Sequence, residues 1–334
     1  MVSDMAVKAW SSGPLRGRGH DTHPPVCRMC QDYCSAETFM NYAIAAVSDG
    51  HGGNRYYRSS VGSKLAVKIA ISVVKKHLSD DEFVLNLRNS PDEMLIGTLV
   101  NEIVSEWRDA VDRYDRENPA TEEEIEHRKQ YDIPDGYSRK TYGATLLLAV
   151  LSEEFSFGIQ IGDGDLVTVY QNATTCTPVP MDERCVDNKT TSLSDKDAEN
   201  EFRYFCTFSE IPSALTISSD GVSTYWETYD RNTSMKKFMD YSKNASVYCA
   251  KGIEHLLLEN LRKRTAMGHE DDISMCVLYI PEKMTKVVSK VDEEYSGYFG
   301  QMKKNEEKKR RDRQYKIICY RSSGPSKKRR KCRK

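Results

Sequence analysis

The sequence predicts an α+β fold with antiparallel sheets and segregated helices. Three observations carry this. Apolar runs of strand length recur, several closing on Asp-Gly. Two long amphipathic stretches stand together early in the chain rather than between successive strands. The strands then return as a block, so the order is not the repeating strand–helix–strand wind of a parallel sheet.

The elements follow in order. Tyr42-Ala-Ile-Ala-Ala-Val47, within a strand-like stretch at 40–48, reads as a buried strand halted by Asp49-Gly50-His51-Gly52-Gly53. Glycines there let the main chain turn sharply and approach a ligand closely. Residues 59–78 place apolar side chains at helical spacing, and residues 92–118 do so again until Pro119. Residues 120–130 are highly charged and read as an exposed helix or loop. Strands are expected at 142–151, 154–161 and 165–170, the last two forming an antiparallel hairpin across a short turn. Residues 171–210 are polar, with weak strand content near 203–208. A short strand at 214–218 ends in Asp220-Gly221, helices are expected near 234–243 and 246–266, and a last strand at 273–280 stops at Pro281. The sequence contains no internal repeat.

At 334 residues the chain is long enough to bury a substantial core. No run of about 18 apolar residues is present, so no membrane helix is expected, and the first twenty residues lack the apolar centre of a secretion signal. The expected location is intracellular and cytoplasmic, or nuclear in a eukaryotic source. Ten scattered cysteines suit a reducing compartment. His20, His23, Cys27, Cys30 and Cys34 cluster with one Cys-x-x-Cys, a spacing that zinc uses. No second Cys-x-x-Cys accompanies it, and plain thiols at the start of the fold are the favoured reading. Net charge is −1, yet residues 302–334 carry 16 Lys or Arg against three acids, a net +13 on an acidic body of −14.

Asp49, Asp163, Asp220 and the pair Asp271/Asp272 each lie beside an expected strand end. Any one alone is an ordinary turn. Four in one chain suggest carboxylates gathered around divalent cations, which offset their mutual repulsion. Oxygen donors of this kind suit Mg²⁺ or Mn²⁺, and without a histidine-rich set they disfavour catalytic zinc.

Gln31-Asp32, Asp49-Gly-His-Gly-Gly53, Tyr142-Gly-Ala-Thr145, Gly162-Asp163, Ser218-Ser-Asp220-Gly221 and Asp271-Asp-Ile-Ser274 occur in that order. Over roughly residues 20–281 the chain resembles the metal-dependent serine/threonine phosphatases of the 2C type. Cys30-Gln31-Asp32 is similar to the Cys-Gln-Asp version of a bacterial-looking branch. The resemblance implies a two-sheet antiparallel β-sandwich flanked by helix pairs. It implies a domain at 20–283, between an N-terminal extension at 1–19 and a flexible basic tail at 284–334. By position, Asp49 would bridge two Mn²⁺ or Mg²⁺ ions, the Gly50 carbonyl would ligate one, and Asp220 and Asp271 would complete the other. Asp163 matches the aspartate of a third, weaker metal. His51 matches the general acid that protonates the leaving alkoxide, a role its near-neutral reference pKa suits. No phosphoenzyme, and hence no Ser or Cys nucleophile, is expected.

Two positions depart from that pattern. Gln31 stands where a glutamate is frequent, leaving Asp32 as the carboxylate expected to act there. The phosphate-binding arginine has one candidate, Arg28. The resemblance implies phosphorylated protein substrates, an opposing serine/threonine kinase and a monomer. A pseudophosphatase, the same fold used as a binding module, is the rival reading, and Gln31 is its best support. The basic tail suits nucleic acid, anionic lipid or an acidic protein surface, or is simply a solubilising end.

Overall fold

A computed structural model describes residues 6–10, 30–185, 190–223, 231–252 and 272–291. The chain divides into two units, Met1–Val287 and Val288–Lys334, and the fold is that of the first. Its described strands are β1 (Ala6–Trp10), β2 (Tyr33–Phe39), β3 (Tyr42–Ser48), β4 (Leu146–Leu151), β5 (Ser156–Ile161), β6 (Asp165–Val169), β7 (Thr175–Cys176), β8 (Arg203–Thr207), β9 (Ala214–Ser218) and β10 (Ser274–Tyr279). They form two five-stranded sheets, ordered β1-β10-β9-β6-β7 and β2-β3-β4-β5-β8. Each paired neighbour is antiparallel.

Strands β3 and β4 lie inside their sheet with both faces covered, which is why they read as continuous apolar runs rather than alternating ones. One face, with Ala43, Ala45, Val47, Leu147 and Ala149, packs on Leu166, Leu215, Ile217, Cys276 and Leu278 of the other sheet. The opposite face, with Ile44, Leu146, Leu148 and Val150, shares a core with α1 (Ser59–Leu78), α2 (Asp81–Asn89) and α3 (Asn101–Glu117). Trp107 of α3 is fully buried and donates its indole N–H to the Gly62 carbonyl of α1 at 3.0 Å. On the outer side of the other sheet lies α5 (Arg231–Ala250), where Ser242 Oγ sits 3.0 Å from Thr216 Oγ1. The layers therefore run helices, sheet, sheet, helix: an α+β sandwich. A closing helix occupies 281–291.

Several expectations change. The hairpin expected between 154–161 and 165–170 does not form, because β5 and β6 belong to different sheets. Gly162-Asp163-Gly164 carries the chain across the sandwich, with Gly162 at φ +99°. A Cβ at Gly162 would come within 2.5 Å of the Thr145 side chain, and one at Gly164 within 2.5 Å of the Ser218 carbonyl oxygen. The crossing thus needs glycine at both places. The helix expected at 92–118 is a π-helical run, Glu93–Val100, leading into α3. The helix expected near 234–243 continues without a break to Ala250, and residues 253–271 lie outside the described part. Strands β1 and β2 and helix α2 were not anticipated. Residues 6–10, expected in an N-terminal extension, pair with β10. Cys34 faces the core between the sheets, which removes it from any zinc site, while His20, His23 and Cys27 lie outside the described residues.

Candidate active site

The charged residues gather because the strands end together. Tyr33 pairs with Ser48 across β2 and β3, so the next step of the register sets Asp32 opposite Asp49. The Asp49 carbonyl accepts the Thr145 N–H at 2.8 Å, and the Asp49 N–H reaches Thr145 Oγ1 at 3.0 Å. Thr145 in turn abuts Gly162. Asp163 is flanked by that contact on one side and by Gly164 against the Ser218 carbonyl on the other. Ser218 leads through Ser219 to Asp220, and Ser219 exchanges hydrogen bonds with Ser274 at 2.9 and 3.0 Å. The ring closes at Asp272, whose Oδ2 accepts the Gln31 N–H at 2.7 Å. Asp32, Asp49, Asp163, Asp220 and Asp272 therefore stand on one rim of the sandwich, contributed by both sheets.

Gly50 and His51 belong to the same rim. A Cβ at Gly50 would meet the Gln31 carbonyl oxygen at 2.5 Å, so only glycine lets this turn lie so close to the start of β2. The His51 N–H donates to the Gly143 carbonyl at 3.0 Å, and its ring meets Tyr56 edge-on with centroids 5.1 Å apart. Burial holds the imidazole below its ordinary pKa, against the opposing charges of Asp163 and Asp195. Gln31 is not oriented as a substitute carboxylate. Its amide donates to the His51 carbonyl at 3.1 Å and to Ser59 Oγ at 2.5 Å, bracing the turn from beneath.

The donor chemistry fits a hard divalent cation: aspartate carboxylates and a glycine carbonyl, with the Gly50 and Gly164 turns lying closer to their neighbours than any side chain permits. Among the described residues, no three His, Cys, Asp or Glu side chains converge closely enough to hold an ion. Asp271 and Arg28 lie outside the described residues.

Residues 21–261 match the family described as protein phosphatase 2C. The chain belongs to the protein phosphatase 2C family. It is accordingly a protein serine/threonine phosphatase, a hydrolase of a kind that is typically metal-dependent. Solved structures similar to it include a bacterial serine phosphatase (15% identity, 83% of this chain and 98% of that one, TM-score 0.47). Others are the serine/threonine phosphatase Stp1 from Staphylococcus aureus (14%, 84% and 95%, TM-score 0.46) and RsbX in complex with magnesium (11%, 81% and 92%, TM-score 0.40). No curated protein matches.

The sequence alone did not single out three participants, one of them named only within a pair. Thr145 is a hydrogen-bond partner of Asp49, and its place in Gly143-Ala-Thr145 was the available signal. Asp272 reaches Gln31, a choice between adjacent aspartates that spacing does not make. Asp195 acts on His51 from a polar stretch with no motif of its own.

Proposed function

We propose that this phosphatase removes phosphate from phosphoserine and phosphothreonine in proteins using two Mn²⁺ or Mg²⁺ ions. The observation that carries the proposal is the ring of hydrogen bonds and glycine contacts that puts Asp49, Asp163 and Asp220, from three separate strand ends, on one rim with His51. Asp49 is assigned to bridge the ions, with the Gly50 carbonyl on one of them. Asp220 and Asp271 are assigned to the other, Asp163 to a weaker third, and Asp32 takes the place of the absent glutamate. When bound, the ions supply a nucleophile from water at neutral pH and neutralise the phosphoryl oxygens. His51 is assigned to hold a proton for the departing serine or threonine oxygen; burial lowers the imidazole pKa, so its protonated form is the stronger acid and Asp163 and Asp195 oppose its loss. Arg28 is the proposed contact for the substrate phosphate. The engagement of Gln31 as a brace removes the main support for the binding-module reading.

The protein is proposed to act inside the cell, opposite a serine/threonine kinase, as a monomer. Its basic tail, net +13, is proposed to make salt-sensitive contact with a polyanion. The test is dephosphorylation of a phosphothreonine peptide during Mn²⁺ and Mg²⁺ titration, with chelator as control. Saturable metal-dependent release of phosphate is expected. Full activity in excess chelator would refute the metal reading.

A further inference from the structure

Helix α4 (Glu122–Gln130) is unlike the other described α-helices: none of its residues is buried. It is a polar excursion between α3 and β4, and its contacts converge on one short stretch, Asn54–Arg58, which leaves the Asp49–Gly53 turn. Glu124 accepts from Arg58 through both carboxylate oxygens, Nε to Oε1 at 2.6 Å and an Nη to Oε2 at 2.7 Å. His127 Nε2 lies 2.7 Å from the Asn54 carbonyl. Arg128 donates to the Tyr57 hydroxyl at 2.7 Å and lies over its ring.

Arg58 is an odd residue to find at this place. It precedes the first turn of α1, where the helix dipole disfavours a cation, and it is buried. A buried guanidinium needs carboxylate partners. Asp115 of α3 supplies one at 3.1 Å, and α4 supplies the other. Glu124 is itself fixed in place, because its Oε2 also accepts the Thr121 N–H at 2.9 Å in a capping box.

From Arg58 two short routes lead to His51. One runs through the Tyr142 hydroxyl at 2.7 Å and the Thr141 carbonyl, which accepts the Arg58 N–H at 3.2 Å. These residues adjoin Gly143, whose carbonyl holds the His51 N–H. The other runs back along Tyr57 to Tyr56, whose ring lies against the imidazole. A Cβ at Gly143 would fall 2.7 Å from the His51 ring and 3.0 Å from Tyr56. The imidazole thus sits in a slot whose two walls are both anchored at Arg58.

We infer that the Arg58–Glu124 pair, delivered by α4, positions His51 for proton donation to the leaving group. Arg58 and Glu124 are positioning residues; neither borders the rim. The inference rests on the assignment of His51 as the proton donor. A displaced donor harms only reactions that need a proton on the leaving oxygen, so leaving-group dependence separates positioning from general damage.

The experiment compares wild type with Glu124→Gln on a phosphothreonine peptide, whose alkoxide must be protonated, and on p-nitrophenyl phosphate, whose phenolate leaves unaided. The His51 imidazole resonances are recorded in the same proteins, with His77 at the far end of α1 as internal control. The expected result is a loss of about tenfold in peptide kcat, KM within about twofold, near-unchanged p-nitrophenyl phosphate turnover, and shifted His51 but not His77 signals. Equal losses on both substrates, an unchanged peptide rate, or unmoved His51 signals would overturn the inference. If wild type hydrolyses neither substrate, it is the phosphatase reading that fails, and the His51 resonances alone decide the positioning claim. Arg128→Ala, which loosens α4 from Tyr57 without stranding a buried charge, serves in place of Glu124→Gln should that variant not fold, with the same directions expected.

Discussion

The helix-covered face of the β2–β8 sheet and the rim where the Asp-Gly turns meet place opposite demands on side chains. On the covered face, Ile44, Leu146, Leu148 and Phe157 are fully buried beside Trp107, and shape decides what fits. On the rim, aspartates stand at successive strand ends and backbone comes within touching distance of backbone, so charge and the absence of a side chain decide. The two regions share strands β3, β4 and β5, yet almost no residue serves both. Stability and catalysis therefore divide by position along one strand, and substitutions should separate melting temperature from turnover.

The sharpest break in that comparison comes from Asp49→Asn. Turnover should fall on the order of 10³-fold, while the melting temperature holds or rises because a repelling charge is gone. Kinetics beside a thermal melt check this, and a fall in both would merge the two regions. Next is Leu148→Ala on the covered face. It should cost about 2–5 kcal/mol of stability in a denaturant titration, with turnover per folded molecule preserved. A comparable loss is expected from Gly62→Ala in α1, where the new Cβ would fall 1.9 Å from the Tyr142 carbonyl oxygen, a backbone atom that would have to move. Ordinary overpacking costs about 1–3 kcal/mol and a backbone clash costs at least that; because Tyr142 leads to the slot of His51, turnover should fall as well. That variant alone should move both readouts. The mildest effect concerns Cys206, packed against the helix-side core, whose thiol burial pushes up to about 11 from a reference of 9.0. The neutral thiol is the form the fold favours. Its contribution to stability should be whole below pH 9 and lost as pH rises through about 11, and alkylation at pH 8 should be about 100-fold slower than for an ordinary thiol. Rapid labelling of native Cys206 would show that this face opens readily.

Much of this was legible in the sequence because it is local. A core strand that halts on Asp-Gly announces a carboxylate at the edge of a sheet, and Asp49, Asp163 and Asp220 each stand at such a place. The interior strands were visible since burial on both faces leaves a continuous apolar run. Strand β2 was not, because it is a sheet edge whose residues alternate between buried and half-exposed, so Tyr33-Cys-Ser-Ala-Glu-Thr-Phe39 looks polar. The β5–β6 connection misled for a different reason. A short Gly-Asp-Gly turn suits a hairpin, and only the contacts of Gly162 with Thr145 and of Gly164 with Ser218 send the chain to the other sheet. Nothing local pairs Arg58 with Glu124, 66 residues away: a cation before the first turn of α1 asks for an acid, but the sequence does not say which.

The crossing at Gly162-Asp163-Gly164 has a mechanical side. Asp163 is suspended between two layers that otherwise touch through apolar side chains, so slippage of one layer past the other would displace this carboxylate at once. A spectroscopic label at that turn would act as a strain gauge for the whole sandwich, registering pressure or heating before either sheet loses a strand.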